Sequence, residues 1–290
     1  MPSLAQHQSN DYTKLLLIGH SKAGKTGSMA SLVPDFNLRI LDLDNGLETL
    51  KGFVLRDCPS RLNSIEFRTL RDRYKASPLG PVIAGQPKAF VEAIKMLDRW
   101  KYDDVDLGSP AEWGPDDILV IDSLTFLSDA AFAWAEPLSS KDQRAVYGTA
   151  QKAIEKVLAL VQSDDFKTNV IVTSHVRYID LEDGKKKGFP TAIGEALSPK
   201  IPRYFTSVAL CETGQGGKRT IQTVATSYID LANPKPFEML PKYPIETGLA
   251  DFFKVLRSQP NAKRRVQAQE ETPSAATKAL QRAERILARR

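Results

Sequence analysis

Short apolar runs alternate with helix-spaced apolar positions, a rhythm that predicts a mostly parallel sheet flanked by helices, an α/β fold. The run KLLLIG at 14–19 predicts a first strand, and a helix is expected from about 25 to 33, stopped by Pro34. NLRILDLD at 37–44 and SIEFRTL at 64–70 predict the second and third strands. Residues 71–86, with Pro78, Gly80, Pro81 and Gly85, read as irregular surface chain. A helix follows at about 87–101, with Phe90, Ile94, Leu97 and Lys101 on successive turns, and then a loop at 103–115 rich in Asp, Gly and Pro. DDILVIDSLTFL at 116–127 contains a continuous apolar run, as a strand buried on both faces requires. A long helix over 140–163 is expected to turn Ala153, Val157 and Leu160 inward. NVIVTSH at 169–175 predicts a fifth strand, and 176–196 a second long loop. Two strands at 206–212 and 219–226, joined by GQGG, predict a C-terminal antiparallel hairpin. Proline-punctuated coil at 232–248 and a short helix at 249–256 end the pattern. The division expected is an arm at 1–11, a core at 12–256 and a tail at 257–290.

Charge changes this picture only in the tail. The net charge is +5, but nine Lys/Arg against three acids put residues 256–290 at +6, which leaves the first 255 at −1. The high pI therefore says nothing of a basic surface on the core. Within the tail, Ala276, Leu280, Ala283 and Leu287 form one apolar helical stripe flanked by Arg282, Arg285 and Arg289. That pattern fits an arm for nucleic acid or an acidic partner, and equally a solubilising tail. No run of about 18 apolar residues suggests a membrane span. The start has no basic-then-apolar leader pattern. Cys58 and Cys211 lack metal-ligand spacing. A cytoplasmic protein is expected.

The strongest chemical signal is GHSKAGKT at 19–26, a GxxxxGK[ST] phosphate loop between an apolar strand and a helix. Gly19 and Gly24 allow the tight turn in which the backbone amides of His20, Ser21, Lys22, Ala23 and Gly27 can face phosphates. Lys25 is placed for the β- and γ-phosphates of ATP, and the Thr26 hydroxyl for Mg²⁺. Asp122 ends the strand ILVID, where a carboxylate would hold the metal through water or through Thr26. Asp42 and Asp44 end the second strand; Asp44, further out at the strand–helix junction, would orient the attacking water, or else cap the helix that holds Leu47 and Leu50.

ILVIDSLTFL, a polar loop, a long helix and NVIVTSHV together resemble the core of RecA-family recombinases. More closely, the chain resembles phage-encoded AAA-type P-loop ATPases of the RecA-like single-strand annealing class, over about residues 12–256. The resemblance implies an oligomer with ATP at subunit interfaces. It implies a γ-phosphate sensor at His175, where such proteins usually carry glutamine, and a cation supplied in trans. Arg203, Arg219 and Lys235 are candidates for that cation, with Lys235 preferred; a plain surface lysine is the alternative. It also implies two DNA-facing loops. One spans about 128–145 with Trp134, Lys141 and Arg144; the other spans about 176–200 with Arg177, Tyr178, Lys185, Lys186, Lys187 and Phe189. Cations for phosphates and aromatics for bases are what single-stranded DNA requires. A solvated turn at DGKKKG and a core role for Trp134 are the alternatives.

The expected function is ATP hydrolysis on single-stranded DNA in recombination, annealing, repair or replication, with a single-stranded-DNA-binding protein as a possible further partner. Rival readings are another P-loop motor, a small-molecule kinase, or a DNA-binding assembly module for which ATP is only a ligand.

Overall fold

The computed structural model describes residues 12–138, 142–181 and 184–258. The expected arm at 1–11, Lys141 and the tail from 259 onward lie outside the described residues.

In chain order the strands are β1 Lys14–Gly19, β2 Asn37–Asp42, β3 Glu66–Thr69, β4 Tyr74–Lys75, β5 Val82–Ile83, β6 Lys101–Tyr102, β7 Val105–Asp106 and β8 Gly114–Asp122. They continue with β9 Thr168–Ser174, β10 Val176–Asp180, β11 Lys186–Pro190, β12 Ser207–Thr213, β13 Arg219–Gln222 and β14 Lys242–Pro244. The helices are α1 Lys25–Ser28, α2 Leu47–Asp57, α3 Ala89–Asp98, α4 Leu124–Ala135, α5 Gln143–Gln162 and α6 Gly248–Arg257.

Eight strands form the main sheet in the order β14-β13-β12-β1-β9-β8-β2-β3. From β12 to β3 every pairing is parallel, while β13 and β14 add antiparallel at one edge. The central strands are apolar on both faces, and their alternation sends neighbouring residues to opposite layers. Leu16 and Ile18 of β1 join Leu119, Ile121, Val170 and Val172 beneath α3, α4 and α5. Leu15 and Leu17 join Ile118, Val120 and Ile171 beneath α1, α2 and α6. This is the expected mixed α/β architecture, with the C-terminal hairpin in place.

Several segments differ from expectation: β14 adds a strand inside the expected coil at 232–248, and the short β4–β5 and β6–β7 pairs fall in or beside the expected loops at 71–86 and 103–115. Residues 128–135 are not loop: α4 runs through them, because LTFLSDAAFAWA has neither Pro nor Gly and buries Leu124, Leu127, Ser128, Ala131 and Ala135. The segment after β9 is an antiparallel hairpin, β10–β11, with Tyr178 opposite Gly188. On α5 the buried line is Val146, Ala150, Ile154, Val157, Leu158 and Val161, and Leu160 is 46 % exposed. Among the described residues no helix is long and apolar enough to cross a membrane.

Parallel pairing brings the carboxyl ends of β1, β2, β8 and β9 to one edge. Asp42 pairs with Asp122, Ile18 with Ser174 and Gly19 with Cys211. In open α/β sheets this edge is where ligands bind.

Candidate active site

The phosphate loop joins β1 to α1. Gly19 lies against β12 so closely that a Cβ there would fall on the Cys211 carbonyl oxygen. Gly24 has φ 100°, a left-handed conformation open to glycine but strained for other residues. Gly27 faces Phe53 of α2, and a Cβ there would come within 2.7 Å of that ring. His20, Ser21 and Lys22 are exposed, whereas Ala23 is buried. The Lys25 ammonium donates to the carbonyls of Gly19 and His20, each at 3.0 Å. It lies inside the turn and is 5 % exposed, and burial lowers its pKa against the opposing Asp122 and Asp44 charges.

Asp122 is fully buried and accepts from the Thr26 hydroxyl at 2.7 Å and from the Thr173 hydroxyl. Burial raises its carboxyl pKa, while the two hydroxyls and Lys25 favour the ionised form. Thr173 is a partner the sequence reading missed. It lies on β9, which neighbours β8, one residue beyond the Ile121–Val172 pair, a register the sequence alone does not give.

Asp42 and Asp44 divide their work. Asp42 accepts from the Asn45 amide and the Thr69 hydroxyl, each at 2.8 Å, and so ties the turn after β2 to β3. Asp44 does not cap α2, whose N-cap residue is Gly46 with no side-chain cap. Its Oδ1 is buried without a donor in hydrogen-bonding geometry. That oxygen lies 2.8 Å from where a Cβ on Gly46 would stand, and the Thr26 hydroxyl lies 3.7 Å from the same point. Burial first, then the charges of Asp122 and Asp42, push the Asp44 pKa up to about 6; Lys25 and the Gly46 amide partly offset this.

An unsatisfied carboxylate oxygen beside a hydroxyl–carboxylate pair fits a divalent cation. Among the described residues no group of three His, Cys, Asp or Glu side chains could hold a metal ion. Mg²⁺ needs no such cage, because it takes one or two protein ligands together with phosphates and waters. Thr26 and Asp122 would hold it, and it would neutralise charge on the phosphates.

His175 follows β9 directly. Its amide donates to the Thr125 hydroxyl at 3.1 Å, its carbonyl accepts from the Thr191 amide at 2.7 Å, and its ring meets Phe126 edge-on. Burial, then the positive Lys25, lowers its pKa, so the imidazole is neutral at pH 7 and can both donate and accept.

Residues 11–230 match the family described as AAA domain. The chain belongs to that family. It carries an AAA-type P-loop ATPase domain, and the GHSKAGKT loop at 19–26 lies within the matched residues. None of the curated proteins matches the chain. Among solved structures, an ATPase from the type III secretion system of pathogenic bacteria is similar at 14 % identity and a TM-score of 0.40. The match covers 69 % of this chain and 52 % of that one, so this chain spans about half the length of that protein.

The remaining predicted residues of this AAA domain scatter. Trp134 is on α4, packed on Phe90 with ring centroids 5.2 Å apart, and joins the core rather than a loop. Arg144 is exposed in the first turn of α5, where its amide donates to the Asp142 carboxylate at 2.9 Å. The Lys235 ammonium donates to the Val255 carbonyl at 3.0 Å, which ties it to α6 of its own chain. Arg203 reaches Glu155 at 3.4 Å and the Tyr204 hydroxyl at 3.0 Å. Arg219 lies beside the phosphate loop of its own chain, its Cδ 3.3 Å from where a Cβ on Gly24 would be. On the β10–β11 hairpin Arg177 pairs with Glu195, Lys186 with Asp180 and Lys187 with Asp230. Lys185 is exposed near the tip, and Phe189 is half-buried.

Proposed function

We propose that this AAA domain is a Mg²⁺-dependent ATPase that acts on single-stranded DNA in phage recombination, annealing, repair or replication, as a homo-oligomer with ATP at its subunit interfaces. The observation that carries the reading is the β10–β11 hairpin. It leaves β9 at His175, whose ring feels the Lys25 charge, and carries Arg177, Lys185, Lys186 and Lys187. The ion pairs of Arg177, Lys186 and Lys187 are surface pairs, each worth little, so phosphates can replace their carboxylates. Lys25 offsets charge that grows on the phosphates, and Asp44 orients the attacking water. His175 senses the γ-phosphate at the root of the hairpin and so links the two sites.

The test is fluorescence anisotropy with a labelled single-stranded oligonucleotide. The parent is expected to bind it more tightly than duplex, and more tightly still with a non-hydrolysable ATP analogue. Affinity should fall with salt by roughly 0.7 log unit per log unit for each phosphate neutralised. Changing Lys185, Lys186 and Lys187 together to Ala should weaken binding and flatten that slope. A triple variant with parental affinity, slope and nucleotide response would remove the hairpin from DNA binding and favour the kinase reading.

A further inference from the structure

The ring of Tyr178, in the middle of β10, stacks on the ring of His20, the second residue of the phosphate loop. Their centroids are 5.8 Å apart and their planes differ by 29°, an offset-stacked arrangement. The opposite position on β11 is Gly188, and a Cβ there would come within 3.0 Å of the Tyr178 ring. The ring thus lies close over Gly188, where a larger residue would have to push it aside. Gly188 is itself fixed, its amide donating to the Tyr228 carbonyl at 2.6 Å. On the other side, the His20 carbonyl accepts from the Lys25 ammonium at 3.0 Å. One residue, His20, therefore joins the phosphate-binding lysine to the hairpin.

We infer that Tyr178 is a positioning residue for the phosphate loop, holding His20 through the ring stack and linking the loop to the β10–β11 hairpin. The inference rests on the reading of residues 19–27 as the nucleotide loop, and needs no DNA. A phosphate that draws the Lys25 ammonium frees the His20 carbonyl, and the change reaches Tyr178 through the stacked ring. Because such coupling is reciprocal, a hairpin that holds Tyr178 in place also favours the nucleotide-ready loop. The ring face turned to His20 is taken, so Tyr178 serves this link rather than base stacking.

The test uses full-length protein without DNA. Steady-state turnover gives KM and kcat for ATP. Hydrogen exchange at residues 186–190, with and without Mg²⁺ and AMP-PNP, reports the hairpin. Tyr178→Ala is expected to raise KM roughly two- to ten-fold, the range of one aromatic pair, with a smaller effect on kcat. It should also abolish nucleotide-dependent protection of the hairpin. Tyr178→Phe, which keeps the ring, should behave as the parent. His20→Ala leaves the hairpin sequence and the carbonyl at 20 intact, so it must reproduce both losses even if Tyr178→Ala disturbs the hairpin. Parental KM and protection in either alanine variant would overturn the link, as would failure of Tyr178→Phe to preserve them. A parent with no nucleotide-dependent protection would overturn the link while leaving its turnover to judge the ATPase reading separately.

Discussion

Asp44 combines an unsatisfied buried oxygen with a carboxyl raised to about 6, and its replacement has two opposite expected effects. In its proposed water-orienting role it would act chiefly in the transition state. Asp44→Asn should therefore lower kcat by on the order of a hundred-fold or more while leaving ATP affinity near parental. The same change should stabilise the nucleotide-free fold at neutral pH. Asp44 has a folded pKa above its unfolded value, so the stability it contributes is fully present below about 4 and is lost as pH rises through about 6. Asn carries no such penalty. The melting-temperature gain of Asp44→Asn over parent, measured in EDTA, should be largest above pH 7 and vanish towards pH 4. Loss of nucleotide affinity with normal hydrolysis of bound ATP would contradict the assignment. So would a gain that grows as pH falls. Asp44 was legible as a candidate from its place after the second strand. Its choice over a helix cap was not, because capping depends on where α2 begins, and the structure starts α2 at Leu47 with Gly46 before it.

Elements buried on both faces of the sheet were the most legible. β1, β8 and β9 each contain a continuous apolar run, LLLI, ILVI and VIV, buried on both faces of the sheet. Elements with a mixed environment were misread. The first DNA-facing loop is placed by the resemblance and supported by its cations and aromatics, whereas residues 128–135 have helix propensity and continue α4 to Ala135. Trp134 is then a packing residue. Trp134→Ala should cost about 2 kcal/mol, less than a fully buried tryptophan, and leave single-stranded DNA affinity unchanged. Denaturant unfolding and the anisotropy assay check the two halves. A DNA-binding defect without loss of stability would return Trp134 to the DNA-facing surface. The segment that forms β10 and β11 reads as a loop in the sequence because DGKKKG at 183–188 is a polar run and the two strands are only five residues each. What the sequence could not show is a contact across the fold, such as Tyr178 on His20 or Thr173 on Asp122, since pairing between distant segments sets it.

For the whole molecule, the main sheet explains how distant residues meet. Lys25, Asp44, Asp122 and His175 come from four segments but share one edge, because the strands that carry or precede them are parallel neighbours. That edge also launches the basic hairpin, so nucleotide chemistry and the proposed DNA surface share one root at His175. The central claim is that the two are coupled. The most direct measurement is steady-state ATP turnover by full-length protein with no DNA, with single-stranded DNA and with duplex, using Lys25→Ala as control and circular dichroism to verify its fold. The account predicts Mg²⁺-dependent turnover, raised by single-stranded DNA more than by duplex, and reduced to background in a folded Lys25→Ala protein. Parental turnover by folded Lys25→Ala, or a parent whose turnover is indifferent to single-stranded DNA, would contradict it.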